Sequence, residues 1–223
     1  RPPRSTLFPY TTLFRSRTPM NGIIGMTEIA LRSDQSEESR RACMEKVQKS
    51  SHYPLGLLND ILDMSKIESG KMTLAREPFN LRALLQDLHP VLDARFEEKQ
   101  QRFLTQVELT SDWFYGDSLR ISQVLINLLG NAVKYSPAST RIQLTVRELS
   151  HADGTARVYF AVKDEGIGIS EENRLRIFQS FEQVDNSSTR QQGTGLGLAI
   201  SNRLVHMMGG NIELESQLGK GST

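Results

Sequence analysis

Only one cysteine, Cys43, occurs in 223 residues. That excludes an internal disulfide framework and fits a reducing compartment. No apolar run approaches the ~20 residues that cross a bilayer. Neither sign of charge dominates: 27 Lys and Arg against 26 Asp and Glu leave +1, so no strong field draws the chain to nucleic acid or an anionic membrane. A secretory leader is not expected, because Leu7 to Phe14 is broken by Pro9, Tyr10, Thr11 and Thr12. What is present is ordinary for a soluble globular chain, 38% hydrophobic and 24% charged, with length for one or two domains.

Residues 1–16 have neither helical nor strand periodicity; they hold three prolines, three arginines and no acid. Thr6 to Ser16, TLFPYTTLFRS, resembles the in-frame translation of a sequencing adapter. It is set aside from fold reasoning as an artefact, expected to be disordered. The alternative is a natural disordered arm.

From Arg17 the pattern turns helical. Pro19 suits a first turn or a kink, and Met20, Ile23, Ile24, Thr27 and Leu31 share one face. Ser33 to Ser39, rich in capping residues, predicts a tight turn. A second helix is predicted from about Glu37 to Ser69. Its residues Met44, Val47, Ser51, Leu55, Leu58 and Leu62 form a bundle seam at spacings of three and four. Pro54 should kink it, at a cost of about 3 kcal/mol, and Gly70 should end it. Two such helices cannot bury both faces alone. Pairing with a second copy into a four-helix bundle is expected, the alternative being docking on the next domain.

Beyond Gly70 the texture becomes mixed. Strands are predicted at Met72 to Leu74, Phe103 to Val107, Arg141 to Leu149, Ala156 to Asp164 and Asn211 to Ser216. Helices are predicted from about Leu81 to Lys99 with Pro90 inside, from a cap at Asp117 to near Tyr135, from Glu171 to about Phe181, and from Leu196 to Met208. The fold class is α+β: a two-helix hairpin, 17–70, followed by an α/β sandwich, 71–223, with one sheet backed by helices.

Four stretches carry chemistry. In NLLGNAVKY, Asn127, Asn131 and Lys134 share one helical face and the apolar residues take the other. Amide oxygens suit Mg²⁺ and an ammonium suits phosphate, although solvated surface residues are the simpler reading of this stretch alone. In DEGIGI, a strand ends in Asp164, whose carboxylate can accept from an exocyclic amine such as adenine N6; Gly166 and Gly168 allow close backbone approach, and Glu165 is expected to face solvent. In GTGLGLAI, glycines precede a helix start, where N–H groups and the helix dipole favour phosphate. No Lys-Ser/Thr pair follows, so this is not a Walker loop. GKGST, Gly219 to Thr223, is a further glycine-bearing turn.

In this order, the Asn-rich helix, DxGxG, IFQSFEQ, GxGLG and GxGST resemble the catalytic ATP-binding domain of sensor histidine kinases. This is the sandwich shared with Hsp90 chaperones and DNA gyrase. RTPMNGIIGM and LLNDILDMSKIESGKM resemble that family's dimerisation and histidine-phosphotransfer helices. The resemblance covers Arg17 to Thr223. It implies ATP and Mg²⁺ as cofactors, Asn131 as the metal ligand with Asn127 in the same site, Lys134 reaching the phosphates and Tyr135 near the adenosine. It further implies Asp164 on the adenine amino group, Gly166 and Gly168 beside it, and Phe178 and Phe181 as the family's phenylalanine box, or else ordinary packing. Glu182 to Gln192 would be a mobile lid with Arg190 a phosphate contact. Gly193, Thr194, Gly195, Leu196 and Gly197 would line the triphosphate. The partners implied are a second copy, through 17–70, and a response-regulator receiver domain, with no nucleic acid and no membrane contact by this segment. The segment would be cytoplasmic and compatible with a parent anchored in the inner membrane. A final strand would be missing after Thr223.

The family's phosphotransfer motif is His-Glu-x-Arg-Thr-Pro. Counting back from Arg17, Phe14 stands at the histidine and Arg15 at the acid, both inside the adapter-like stretch. Phenylalanine has no nucleophilic atom. Thr18 matches the family's phosphatase-type position. His52, His89, His151 and His206 lack the flanking motif. Two alternatives follow. One is an ATPase of the same fold, which would need a glutamate base about where Asn127 stands. The other is a nucleotide-binding pseudokinase that serves as an interaction module.

Overall fold

A computed structural model of the chain describes residues 20–32, 35–152, 154–181 and 194–223, without the side chains of 49, 50, 52 and 53. The chain divides between Glu68 and Ser69 into two compact units.

The first unit is helical. Helix α1 covers residues 20–30, and α2 covers Glu37–Glu68. Ser36 caps α2 through its Oγ, which accepts the Ser39 N–H at 3.2 Å, and Glu37 and Glu38 in the first turn complement the helix dipole. Pro54 lies inside α2 without ending it. Gly70 then takes the left-handed conformation, φ +65°, which suits the residue after a helix. Cys43, Leu57 and Met64 are buried. The predicted seam is not part of that buried stripe: Met44, Leu55, Leu58 and Leu62 are exposed, and Val47 and Ser51 are half-buried. The helix thus carries two apolar stripes, and the outer one is left exposed among the described residues.

The second unit is an α/β sandwich. Strand β1, Glu77–Asn80, pairs antiparallel with β3, Trp113–Gly116, as a two-stranded sheet. The larger sheet has the order β2-β4-β5-β7-β6. Its strands are β2, Arg102–Glu108; β4, Arg141–Ala152; β5, Thr155–Asp164; β6, Ser216–Gln217; and β7, Gly221–Ser222. Only β2 and β4 are parallel; the other pairings are antiparallel. Helices α3, Leu81–Glu98, and α4, Ser118–Tyr135, pack on it, with α6, Gly197–Met207, against α4.

One core joins the layers. It is built from Leu85, Leu88, Leu92 and Phe96 of α3, Leu125 and Leu129 of α4, and Ile142, Leu144 and Val146 of β4. The period of α3 and α4 and the alternation of β4 put these residues on facing surfaces. Each buried side chain of this size contributes about 1.5–3 kcal/mol.

Several expected elements differ. Residues 71–76 hold no strand, and the first strand comes after them. The helix predicted from Glu171 to Phe181 stops as α5 at Arg174. Beyond it, the Arg176 and Gln179 N–H groups bond carbonyls only three residues back, tighter than an α-helix allows. The last strand, predicted over Asn211 to Ser216, overlaps the observed β6 only at Ser216: residues 211–215 hold no strand, and β6 is Ser216–Gln217, paired with the two-residue β7. Pro90 is tolerated inside α3. Among the described residues, no helix is long and apolar enough to cross a membrane.

Candidate functional site

Helix α4 presents the first component. Asp117 caps it, accepting the Arg120 N–H at 3.0 Å, and its second oxygen accepts the Ala75 N–H at 3.0 Å. Burial of Val124, Leu125, Leu129, Ala132 and Val133 turns Asn127, Asn131 and Lys134 off the core. Asn127 donates through Nδ2 to Ser201 Oγ at 2.9 Å. Asn131 donates through Nδ2 to Asn127 Oδ1 at 3.5 Å, the long end of hydrogen bonding. Lys134 donates to the Tyr135 hydroxyl at 3.0 Å, its ammonium 4.6 Å from that ring's centroid. The C-terminal end of α4 is held by Lys99, whose ammonium donates to the carbonyls of Val133, Lys134 and Ser136 at 2.8–3.0 Å. Gln101 Nε2 adds bonds to Ser136 and Pro137. A cation at a helix C-terminus complements the dipole.

Asp164 is the second component. It ends β5, paired with Ile142 of β4 on one side and Ser222 of β7 on the other. Its Oδ1 accepts the Gly166 N–H at 2.7 Å. Burial raises its pKa above the ordinary aspartate value, while the N–H groups of Gly166 and Ser222 pull the other way. The loop after it closes on α4, with the Ile167 N–H donating to the Tyr135 carbonyl at 3.2 Å. Two glycines are required here. A Cβ on Gly168, φ +66°, would lie 2.0 Å from the Gln217 carbonyl oxygen, and one on Gly221, φ +89°, 2.0 Å from that of Asp164. The DEGIGI loop and the GKGST turn therefore meet backbone to backbone. Glu165 is exposed as expected, yet paired: it accepts from the backbone N–H of Arg141 at 2.9 Å and from its guanidinium at 3.0 and 3.1 Å. These bonds hold its carboxyl below the usual range.

The third component is the start of α6. The Phe181 N–H donates to the Gly195 carbonyl at 2.9 Å, and Thr194 Oγ1 accepts the Leu196 N–H at 3.1 Å. Leu196 is fully buried and seats the turn. Gly197 opens the helix against Asn127: a Cβ there would stand 2.3 Å from Asn127 Oδ1. Phe178 and Phe181 are half-buried and belong to no part of the main core.

Asn127, with Asn131 bonded to it, thus meets Gly197 where α4 meets α6, while Lys134 and Tyr135 close α4 at the end where the Tyr135 carbonyl meets the loop of Asp164, Gly166 and Gly168. Phe14, Arg15, Thr18, Arg190, Gly193 and the segment Glu182 to Gln192 lie outside the described residues, as does the side chain of His52. His89 and His151 are held by acids, at 2.6 Å from Asp93 and 3.3 Å from Glu148. His206 lies in the last turn of α6.

The donor set suits Mg²⁺ bound with a nucleotide. Among the described residues no group of three or more His, Cys, Asp or Glu side chains could hold a metal, and the oxygens on offer are amides. Mg²⁺ takes one or two protein oxygens and completes its octahedron with phosphate and water. Asn131 lies beside Asn127, its Nδ2 3.5 Å from Asn127 Oδ1, and carries one such amide oxygen. One participant, Ser201, escaped the sequence reading: it acts across 74 residues and carries no local signature.

Comparison with known proteins gives a consistent picture. The family described as "His Kinase A (phospho-acceptor) domain" matches residues 15–70. The family described as "Histidine kinase-, DNA gyrase B-, and HSP90-like ATPase" matches 116–223. Sensor histidine kinase GacS of Pseudomonas protegens is 40% identical over 208 residues, 92% of this chain and 22% of that protein. Signal transduction histidine-protein kinase BarA of Escherichia coli K12 is 36% identical over 209 residues, 93% of this chain and 22% of that protein. The chain therefore spans about a fifth of the length of these relatives. Among solved structures, full-length ShkA in complex with AMPPNP aligns with a TM-score of 0.70 at 32% identity, covering 96% of this chain and 44% of that one. Histidine kinase AdeS of Acinetobacter baumannii aligns at 0.64 and 26% identity, covering 92% of each.

Proposed function

Because the chain belongs to the sensor histidine kinases, as their catalytic core, we propose that it binds Mg-ATP between α4, α6 and the Asp164 loop. Its parent passes the γ-phosphoryl group to a histidine and then to an aspartate of a response regulator. The observation that carries this reading is the meeting of Asn127 and Gly197. It brings the asparagine helix and the glycine-rich helix start, 70 residues apart in sequence, to one point.

The roles follow from the chemistry. Asp164 accepts from the adenine amino group and fixes the base. Tyr135 borders the adenosine, and Lys134 meets phosphate oxygens. Gly195 and Gly197 admit the phosphates to the positive end of α6. Asn131 supplies the protein oxygen for Mg²⁺, which when bound neutralises phosphate charge. Positioning and charge neutralisation carry most of the rate in phosphoryl transfer. Thr18 stands at the phosphatase-type position, and Arg190 and Gly193 are assigned to the triphosphate by the resemblance. The exposed α2 stripe, Met44, Leu55, Leu58 and Leu62, supports pairing with a second copy through 17–70. The segment is assigned to the cytoplasmic side, where ATP is.

As written, the chain has Phe14 at the acceptor position, so it binds nucleotide without phosphorylating itself there. Incubation with γ-labelled ATP should leave no acid-labile label, and Phe14→His with Arg15→Glu should restore it. Label on the unaltered chain overturns the inactivity, and absence of Mg-nucleotide binding overturns the reading. Steady ATP hydrolysis would favour the ATPase alternative, although Asn127 offers no base for water.

A further inference from the structure

We propose that Ser216 is a positioning residue for adenine recognition. Its buried hydroxyl joins the two backbone segments whose N–H groups aim the Asp164 carboxylate. This rests on the reading of Asp164 as the acceptor of the adenine amino group.

The Asp164 carboxylate accepts the Gly166 N–H at 2.7 Å and is also bonded by the Ser222 N–H. One donor belongs to the loop after β5, the other to β7. Asp164 faces Ser222 across β5 and β7, and Ser222 faces Ser216 across β7 and β6. Directly opposite residues of antiparallel strands share a face, so the three side chains form one row. Ser216 is 7% exposed, and a hydroxyl there is costly unless bonded. Its one donor and two acceptor places are all used. Oγ accepts the Ile169 N–H at 2.8 Å and donates to the Gly221 carbonyl at 3.0 Å. A peptide N–H can only donate and a carbonyl can only accept, so neither bond can run in reverse. The single hydroxyl proton is thereby spent on Gly221, and in the 2.9 Å contact with Ser222 Oγ Ser222 is the donor. One oxygen thus clamps the loop, through Ile169, to β7, through Gly221 and Ser222.

The clamp can be removed without dismantling its surroundings. Glu215 and Thr223 exchange backbone bonds at 2.9 and 2.7 Å, and the Gly219 N–H still holds the Ile167 carbonyl at 2.7 Å. Ser216→Ala keeps these bonds and takes the acceptor from Ile169 and the donor from Gly221. The loop and β7 then shift against each other, and the two N–H groups no longer fix the carboxylate together. Its aim at the amine spreads. The residues assigned to the phosphates, on α4 and at the start of α6, make no bond to this hydroxyl and keep their places.

The test is calorimetric titration of the 223-residue chain with ADP and with IDP, which carries a carbonyl in place of the adenine amine, both with Mg²⁺. The quantity read is the preference for ADP. Ser216→Ala should cut that preference about three- to tenfold, the worth of one hydrogen bond. A change that merely loosened the fold would weaken both nucleotides alike. Asp164→Ala should abolish the preference, and adding Ser216→Ala to it should have no further effect on it. Should Ser216→Ala not fold, Ser216→Cys, a weak donor and acceptor, gives the same comparison. An undiminished preference in the Ser216 variant overturns the proposal. So does equal weakening of ADP and IDP, or an effect on the preference that persists in the Asp164→Ala background. A full preference in Asp164→Ala overturns the adenine role of Asp164, and that of Ser216 with it.

Discussion

The Asp117 carboxylate accepts the Ala75 peptide N–H at 3.0 Å while its other oxygen caps α4 through the Arg120 N–H. One side chain thus ties the segment before β1 to the first turn of the helix that carries Asn127 and Asn131. Asp117→Asn keeps one acceptor oxygen and loses the other. It should leave global stability within about 0.5 kcal/mol, because asparagine caps as well as aspartate. Amide exchange at Ala75 should rise in that variant. Asp117→Ala should cost about 0.5–2 kcal/mol. Urea unfolding and hydrogen exchange check the pair.

Asp164 gives a pH dependence of definite sign. Its pKa is raised by burial, so the folded state holds the proton more tightly than the unfolded chain. Its contribution to stability is full below the ordinary aspartate pKa and lost as pH rises through the raised one. Nucleotide binding runs the other way, since an ionised carboxylate is the better acceptor for the adenine amine. Affinity should fall on acidification through a pKa above the usual aspartate value. Asp164→Asn should weaken binding about 10- to 100-fold, the worth of a hydrogen bond to a charged group, and should flatten the profile. Calorimetry with ADP across pH measures both.

Lys99 is a structural cation. Its ammonium donates to three carbonyls at the end of α4, and Lys99→Met keeps the stem while removing every donor. Destabilisation of about 1.5–3 kcal/mol is expected, read as a lower urea midpoint at unchanged slope. An unchanged midpoint would mean that water serves those carbonyls equally well.

Leu58 tests the pairing of two copies. It is 52% exposed on the outer stripe of α2, and a carboxylate there would be buried in a four-helix bundle. Leu58→Glu should weaken self-association at least about 100-fold, since burying an unpaired charge costs several kcal/mol per copy. Sedimentation velocity should then show a monomer where the unaltered chain is a dimer. Identical profiles would remove residues 17–70 as the dimer interface.

What the sequence made legible was local. The asparagine face of α4, the acid at the end of β5 and the pair Gly195 and Gly197 at the start of α6 are patterns within ten residues, and the structure places each on the expected element. Less legible was whatever needs a distant partner. Trp113 to Gly116 becomes a strand because Glu77 to Asn80 lies beside it. Ser201 matters only once α6 meets α4. Lys99 shows nothing of its capping role until the chain returns 34 residues later. The α2 seam was legible as apolar but not in its direction. One helix carries two stripes, and spacing alone cannot say which faces inward.

The contact of Gly168 with Gln217 and of Gly221 with Asp164 puts bare main chain against main chain beside the acid proposed to bind adenine. No amino acid larger than glycine can enter there, so neither position offers a handle for retuning the pocket. A designer wishing to admit a bulkier purine, or to exclude an inhibitor, would have to work through the side chains of Tyr135 and Asp164.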